Sequence, residues 1–427
     1  MVDVWLPYGK TDVCVRVPAR NLLGTIEPKD RAGVADQKAE IERALKEPIG
    51  SQPLSQIVKP ESKVAIVVDD ATRKIQSERL LTPVLAELNA AGVKDENITV
   101  IFGCGTHRAV NSEEANQLIG PEIIKRVKTI SNCCTGNDAV YVGTTKTYGN
   151  KVFVNRVFAE ADVRVLLGDV NLHYYAGYGG GRKSVLPAVC SIETIQHNHA
   201  LLVNPNAKTG NLENNPVHID MTEAARIAKV DFIVNVVENK KGEIVKAFAG
   251  DLEAAFMEGV KLVEEMYIVN VDRRADIIVV SAGGHPADIN LYQAYKGIDN
   301  ALDAVKRGGV IILVAECLDG HGNQVFYDWM TKLSDLKAVE KEVKRNFVMG
   351  GHKAYYLLKA IQNHPIILVS SMPDFYATSI FKLRTARAVN DALNEAFKIA
   401  GSAARVWAMP QGSYTLPIYK APEETKE

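Results

Sequence analysis

Cysteine is scarce and unpatterned in this chain. The 427 residues include six, at positions 14, 104, 133, 134, 190 and 317, with no C-x-x-C among them, so neither a zinc-cysteine nor an iron-sulfur centre is expected. Scattered thiols of this kind read as reduced and mostly buried. Only Cys104 and Cys190 lie beside a motif. Neither sign of charge prevails: 50 lysines and arginines face 51 acidic residues, a formal charge of -1. That balance argues against nucleic-acid or membrane-surface binding and for a small-molecule partner. No window reaches eighteen apolar residues. The opening MVDVWLPYGKTDVCVRVP has no basic segment followed by an apolar run, so the chain reads as soluble and cytoplasmic, with no membrane partner. Internal repeats are missing too, and the only biased stretch is the polar tail 422–427.

What is present is length and alternation. A chain of 427 residues is too long for one hydrophobic core, so two domains are expected. Residues 12–17 alternate apolar and polar and predict a strand pair, followed by a polar helix over 35–46. Apolar strands are then expected at 63–68, 98–102 and 163–167. They end in Asp69-Asp70-Ala71-Thr72-Arg73, in Gly103-Cys104-Gly105-Thr106-His107-Arg108 and in Gly168-Asp169-Val170-Asn171-Leu172-His173. Strands alternating with helices imply a mainly parallel sheet with ligands beyond the carboxyl ends of its strands, so Arg73, His107 and His173 should converge. A strand pair over 231–237 and 244–249 makes a hairpin-like edge, and 267–274 reads as the crossing to a second α/β domain. That domain is expected to hold a strand at 275–281, a helix over 290–307, strands at 309–315 and 365–370 and a last helix near 385–400. The domains are placed at 1–268 and 275–405, with 406–427 as a tail that packs back on the first.

The densest chemistry lies in residues 168–199, GDVNLHYYAGYGGGRKSVLPAVCSIETIQHNH, which bring together three histidines, Arg182, Lys183 and five glycines. Gly177, Gly179, Gly180 and Gly181 leave backbone amides uncovered, a setting suited to phosphate. Both familiar nucleotide signatures nevertheless fail at one residue. Arg182 stands where the nucleotide-triphosphate loop needs glycine before Lys-Ser, and where the dinucleotide fingerprint needs its third glycine. Ser191 is a good N-cap for a helix that carries both His197 and His199. Helical residues advance by roughly 100° each, so two residues apart they face nearly opposite sides, and only one can ligate a given metal. A straight helix from Lys183 to His199 would span about 24 Å; the chain must fold back between them, and Pro187 is a natural break.

The run AGYGGGRKSVLPAV, with His107, His173 and His199 in their positions, resembles the cofactor-attachment segment of the lactate racemase family. The resemblance covers nearly the whole chain in motif order. It implies a two-domain α/β fold with the active site in the interdomain cleft, and a nickel-pincer nucleotide: a pyridinium mononucleotide whose thioamide and thiocarboxylate sulfurs and ring carbon hold nickel. By the same resemblance Lys183 attaches the cofactor, His199 completes the nickel site, and Arg182, Gly179, Gly180, Gly181 and Asp70 lie at the cofactor. His107 and His173 become the acid-base pair, and Arg73, Tyr292, Gln293 and Lys296 contact the substrate. Proteins of cofactor synthesis and nickel insertion are the implied partners. One imidazole beside sulfur and carbon donors suits four-coordinate nickel, and histidine suits proton transfer in both directions near neutral pH.

The expected reaction is inversion of C2 in a 2-hydroxy acid, lactate or a related carboxylate, by reversible hydride transfer. That route avoids a carbanion beside a carboxylate. Lys74, close to the expected substrate arginine, adds a positive charge that favours a second anionic group on the substrate. Two other readings remain. A nicotinamide-dependent 2-hydroxy acid dehydrogenase would share the hydride logic, but the broken dinucleotide fingerprint weighs against it. A nickel or nucleotide carrier would leave the paired histidines without purpose.

Overall fold

The computed structural model describes residues 1–72, 76–333 and 335–421. It divides into two compact units, one formed by Asp30–Glu265 and the other joining Met1–Lys29 to Met266–Glu427.

In the Asp30–Glu265 unit, strands Val64–Asp69, Ile98–Gly103, Val163–Asp169 and Phe232–Glu238 are almost entirely apolar, as strands buried on both faces must be. They run parallel, with Lys128–Ser131 outside Ile98–Gly103 and the antiparallel Ile244–Gly250 on the far edge. Helix Glu78–Ala90 turns Leu80, Leu81, Val84, Leu85 and Leu88 into the core that contains Val64, Ile66 and Val68. Each such side chain contributes roughly 1.5–3 kcal/mol by leaving water. From Val64–Asp69 the chain moves outward to Ile98–Gly103, then returns to lay Val163–Asp169 on the other side of its starting strand. The strand order thus reverses between Val64–Asp69 and Val163–Asp169, the position where open parallel sheets form a ligand crevice.

The second unit has a six-stranded sheet, parallel throughout, in the order Arg384–Ala386, Ile366–Val369, Val305–Val314, Ala275–Ser281, Val406–Met409, Leu22–Thr25. Several expectations are corrected here. Residues 1–29 fall outside the unit expected for 1–268, since Leu22–Thr25 hydrogen-bonds beside Val406–Met409. The hairpin of Val2–Tyr8 and Thr11–Val17 puts Val4, Leu6, Val15 and Val17 into one core with Ile277, Val279 and Ile312. The expected tail is likewise built into this unit: Val406–Met409 is a sheet strand, and Leu416–Tyr419 pairs with Ile268–Val271, so the presumed crossing is itself a strand. Helix Leu291–Ala301 stops short of the expected 307, because Val305 already pairs with Ala275. Among the described residues no helix is long and apolar enough to cross a membrane.

Candidate active site

The strand ends of the Asp30–Glu265 unit deliver their side chains to one edge. Asp69 stands opposite Gly103 in the ladder, which brings the next residues of both strands together. His107 Nδ1 lies 2.6 Å from Asp70 Oδ2. Asp70 is buried, and its Oδ1 accepts both the backbone N–H of Thr72, at 2.8 Å, and the Thr72 hydroxyl, at 2.5 Å. Burial alone would raise this carboxyl, but the hydrogen bonds from His107 and Thr72 outweigh it and hold it below the usual carboxylate range. Asp70 is therefore an ionised acceptor that orients His107, and it is the histidine ring that it touches. Cys104, on the same turn, is buried, and burial pushes its thiol up, as it does for Cys190. Both are inert neutral thiols. The expectation of mostly buried cysteines holds for these two and Cys317, whereas Cys133 is exposed.

Beyond Val163–Asp169, His173 accepts the N–H of Ala176 on Nδ1 at 3.3 Å. Its ring is stacked on Tyr174, with centroids 4.8 Å apart, and meets the edge of Tyr175 at 4.5 Å. Tyr175 in turn packs edge-on against His199 at 5.2 Å. The glycine-rich turn differs from the expected phosphate cradle. Gly179 N–H donates to the Asn171 carbonyl and Gly181 N–H to Asn235 Oδ1, so these two amides serve the turn itself. Gly180 and Gly181 adopt φ of 81° and 52°. A Cβ at 180 would stand 2.7 Å from the Asp169 carbonyl, and one at 181 would stand 3.1 Å from the Phe256 ring, so side chains are excluded by both conformation and space. Arg182 is corrected as well. Its side chain is buried, donates to the carbonyls of Ala176 and Gly180 and to His218 Nδ1, and lies over Phe256. Burial pushes it down to about 9. It braces the turn from inside.

The chain does fold back after Lys183. A short 3-10 turn over Gly181–Ser184 gives way to helix Ile192–Ala200, whose first turn Ser191 caps. His199 is 1% exposed. Burial, reinforced by the positive charge of Lys183, pushes it down to about 3, so the imidazole is neutral. Its Nδ1 lies 3.1 Å from Asn198 Oδ1. An amide oxygen only accepts, so Nδ1 carries the hydrogen and Nε2 the lone pair. The amide orientation of Asn198 is itself fixed by donation from Nδ2 to Asp220 Oδ2 at 2.9 Å, and Asp220 also accepts from Thr145 and Asn150. His197 is exposed on the opposite side, with Nε2 2.9 Å from the Tyr148 carbonyl.

These residues fit a metal-bearing cofactor: one neutral imidazole, locked by its neighbours with Nε2 as the donor atom, and a lysine within its electrostatic reach. Asn198, Asp220, Asn235 and Tyr175 escaped the sequence reading. Asn235 left the one legible trace, a polar residue inside the apolar run FIVNVVE. Arg73 and Lys74 lie outside the described residues. In the other unit, helix Leu291–Ala301 carries Tyr292, half-buried with its hydroxyl 3.7 Å from Met349 Sδ, and Lys296, which is exposed. Asn290 caps that helix through the N–H of Gln293. The buried Lys353 sits over the rings of Tyr292 and Tyr295, at 5.4 and 4.9 Å, and burial beside Lys296 pushes it down to about 7.

Fold and side chains define an α/β protein of two units, one of which sets a carboxylate-backed histidine beyond strand Ile98–Gly103, a second histidine beyond Val163–Asp169, and a buried, neutral imidazole against Tyr175. Residues 8–210 match the lactate racemase N-terminal domain, and residues 270–416 match the lactate racemase C-terminal domain. The lactate racemase of Thermoanaerobacterium thermosaccharolyticum is 32% identical over 420 residues, covering 96% of this chain and 98% of the relative. The lactate racemase of Lactiplantibacillus plantarum is 32% identical over 421 residues, covering 96% and 99%. The structure of the Thermoanaerobacterium apoprotein superimposes with a TM-score of 0.90 at 31% identity, over 97% of this chain and 100% of that one. A Thermotoga maritima protein shares the fold, with a TM-score of 0.65 at 19% identity over 92% of this chain and 100% of that one. The chain belongs to the lactate racemase family and is an isomerase.

Proposed function

We propose that this protein interconverts the enantiomers of a 2-hydroxy acid of the lactate type, with a nickel-pincer nucleotide held by Lys183 and His199. The observation that carries the reading is His107, bound through Nδ1 at 2.6 Å to the buried Asp70 at the switch point of the sheet. When bound, the nickel-pincer nucleotide supplies a reversible hydride acceptor. His107 takes the hydroxyl proton on Nε2, and Asp70 balances the imidazolium that forms. His173 serves the opposite hand of the substrate. Tyr174, stacked on the His173 ring, and Tyr175, perpendicular to it, keep that ring in place. Arg73 is assigned to the substrate carboxylate, which its planar guanidinium suits, and the resemblance also assigns Tyr292, Gln293 and Lys296 to substrate contact.

The protein expressed together with cofactor-synthesis and nickel-insertion proteins should contain nickel and convert either pure enantiomer of lactate into a racemic mixture. Intact-mass spectrometry should show a covalent adduct that Lys183→Ala removes along with activity. Accumulation of keto acid with reduction of an added nicotinamide would favour the dehydrogenase reading. Nickel without turnover of any 2-hydroxy acid would favour the carrier.

A further inference from the structure

Two hydrogen bonds decide which nitrogen of each acid-base histidine carries its proton, and they decide it in opposite senses. At His107 the near partner of Nδ1 is Asp70 Oδ2, at 2.6 Å, and the Thr72 hydroxyl, 3.3 Å away, already donates its hydrogen to Asp70 Oδ1 and so can only accept from Nδ1. A carboxylate only accepts, so Nδ1 of the neutral ring holds the hydrogen and Nε2 the lone pair. At His173 the partner of Nδ1 is the N–H of Ala176. A backbone amide only donates, so here Nδ1 holds the lone pair and Nε2 the hydrogen. Tyr174, stacked on the His173 ring, and Tyr175, perpendicular to it, resist a ring flip, which would put Cδ2 in place of Nδ1 at the Ala176 N–H.

We infer that the resting protein holds His107 and His173 in opposite tautomers, so that only His107 presents a basic Nε2 to a substrate hydroxyl, while His173 presents Nε2–H. The inference rests on the acid-base roles proposed above and makes them unequal: the enantiomer whose hydroxyl meets His107 reacts from the resting form. In that step the O–H bond breaks and its proton joins Nε2. The O–H electron pair stays on oxygen and becomes the carbonyl π bond, and the nickel-pincer nucleotide, when bound, would supply the acceptor for the hydride of C2. For the other enantiomer, His173 must first give up the Ala176 hydrogen bond and move its proton off Nε2.

Asp70 sets the sense at His107, and Thr72 sets the sense at Asp70. Both Thr72 donors point at Oδ1. In an Asp70→Asn variant the amide oxygen stays with those donors and the NH2 group faces His107. A donor in that place forces the lone pair onto Nδ1 and the hydrogen onto Nε2, which removes the base.

The test needs no cofactor. Long-range proton-nitrogen correlation spectra of the apoprotein, labelled with 15N in histidine and recorded where both rings are neutral, read the tautomers directly; His107→Gln and His173→Gln variants assign them. The unprotonated nitrogen should be Nε2 in His107 and Nδ1 in His173. Asp70→Asn should invert His107 alone, and racemisation by the loaded variant should fall about 10³–10⁴-fold, the scale of loss when a catalytic histidine is turned to the wrong tautomer. The same tautomer in both rings would overturn the inference, as would an Asp70→Asn protein whose His107 keeps its proton on Nδ1. Because the spectra do not depend on turnover, opposite tautomers in a protein that racemises nothing would count against the proposed function and for the tautomer assignment.

Discussion

Replacing His199 by alanine should reduce nickel retention to background, whereas His197→Ala should leave it largely intact. The two residues share helix Ile192–Ala200 but differ in every property that makes a ligand. His199 is buried and neutral, and its Nδ1 donates to Asn198 Oδ1, so the lone pair is on Nε2. His197 is exposed, and its Nε2 faces the Tyr148 carbonyl. Metal analysis of the two variants, purified after expression with the cofactor-synthesis proteins, checks this, and equal losses would sink the assignment. The neighbouring shell should matter to a smaller degree. Asn198→Leu removes the group that orients His199 and should weaken nickel retention about 10- to 100-fold, the usual cost of losing an outer-shell partner.

His107→Ala should lower racemisation of either enantiomer by about 10²–10⁴-fold, the contribution expected of a positioned acid or base, while nickel content stays at the wild-type level. The hydrogen bond of His107 to Asp70 involves none of the residues that link His199 to Asn198 and Asn198 to Asp220, so loss of turnover without loss of metal separates proton transfer from cofactor binding. His173→Ala should reduce turnover on the same scale, because the product alkoxide of one hand must receive its proton from the residue that served the other hand of the substrate. A His107→Ala protein that racemises at the normal rate would remove His107 from the reaction.

The sequence spoke most clearly where physical cause is local. Runs such as VAIVVD and VRVLLGD are too apolar for anything but buried strands, and the junctions after them marked His107 and His173 because a strand end is where a parallel sheet offers its ligands. The opposed faces of His197 and His199 followed from helical geometry alone. What stayed hidden depends on distant partners. Nothing in the first 29 residues shows that Leu22 lies beside Val406. Arg182, which the resemblance puts at the cofactor, is shown by its burial and three inward hydrogen-bond partners, Ala176, Gly180 and His218, to serve the turn itself. Asp220 reads as an ordinary helical acid, and only the fold gathers Thr145, Asn150 and Asn198 around its carboxylate.

The most direct test of hydride transfer between two histidine-served faces is a single turnover of C2-deuterated lactate of one hand by the cofactor-loaded protein in ordinary water. The account predicts product of the opposite hand that keeps its deuterium, formed more slowly than from unlabelled substrate, because a hydride held away from solvent does not exchange. Product carrying solvent hydrogen at C2 would contradict it and point instead to proton abstraction by two bases.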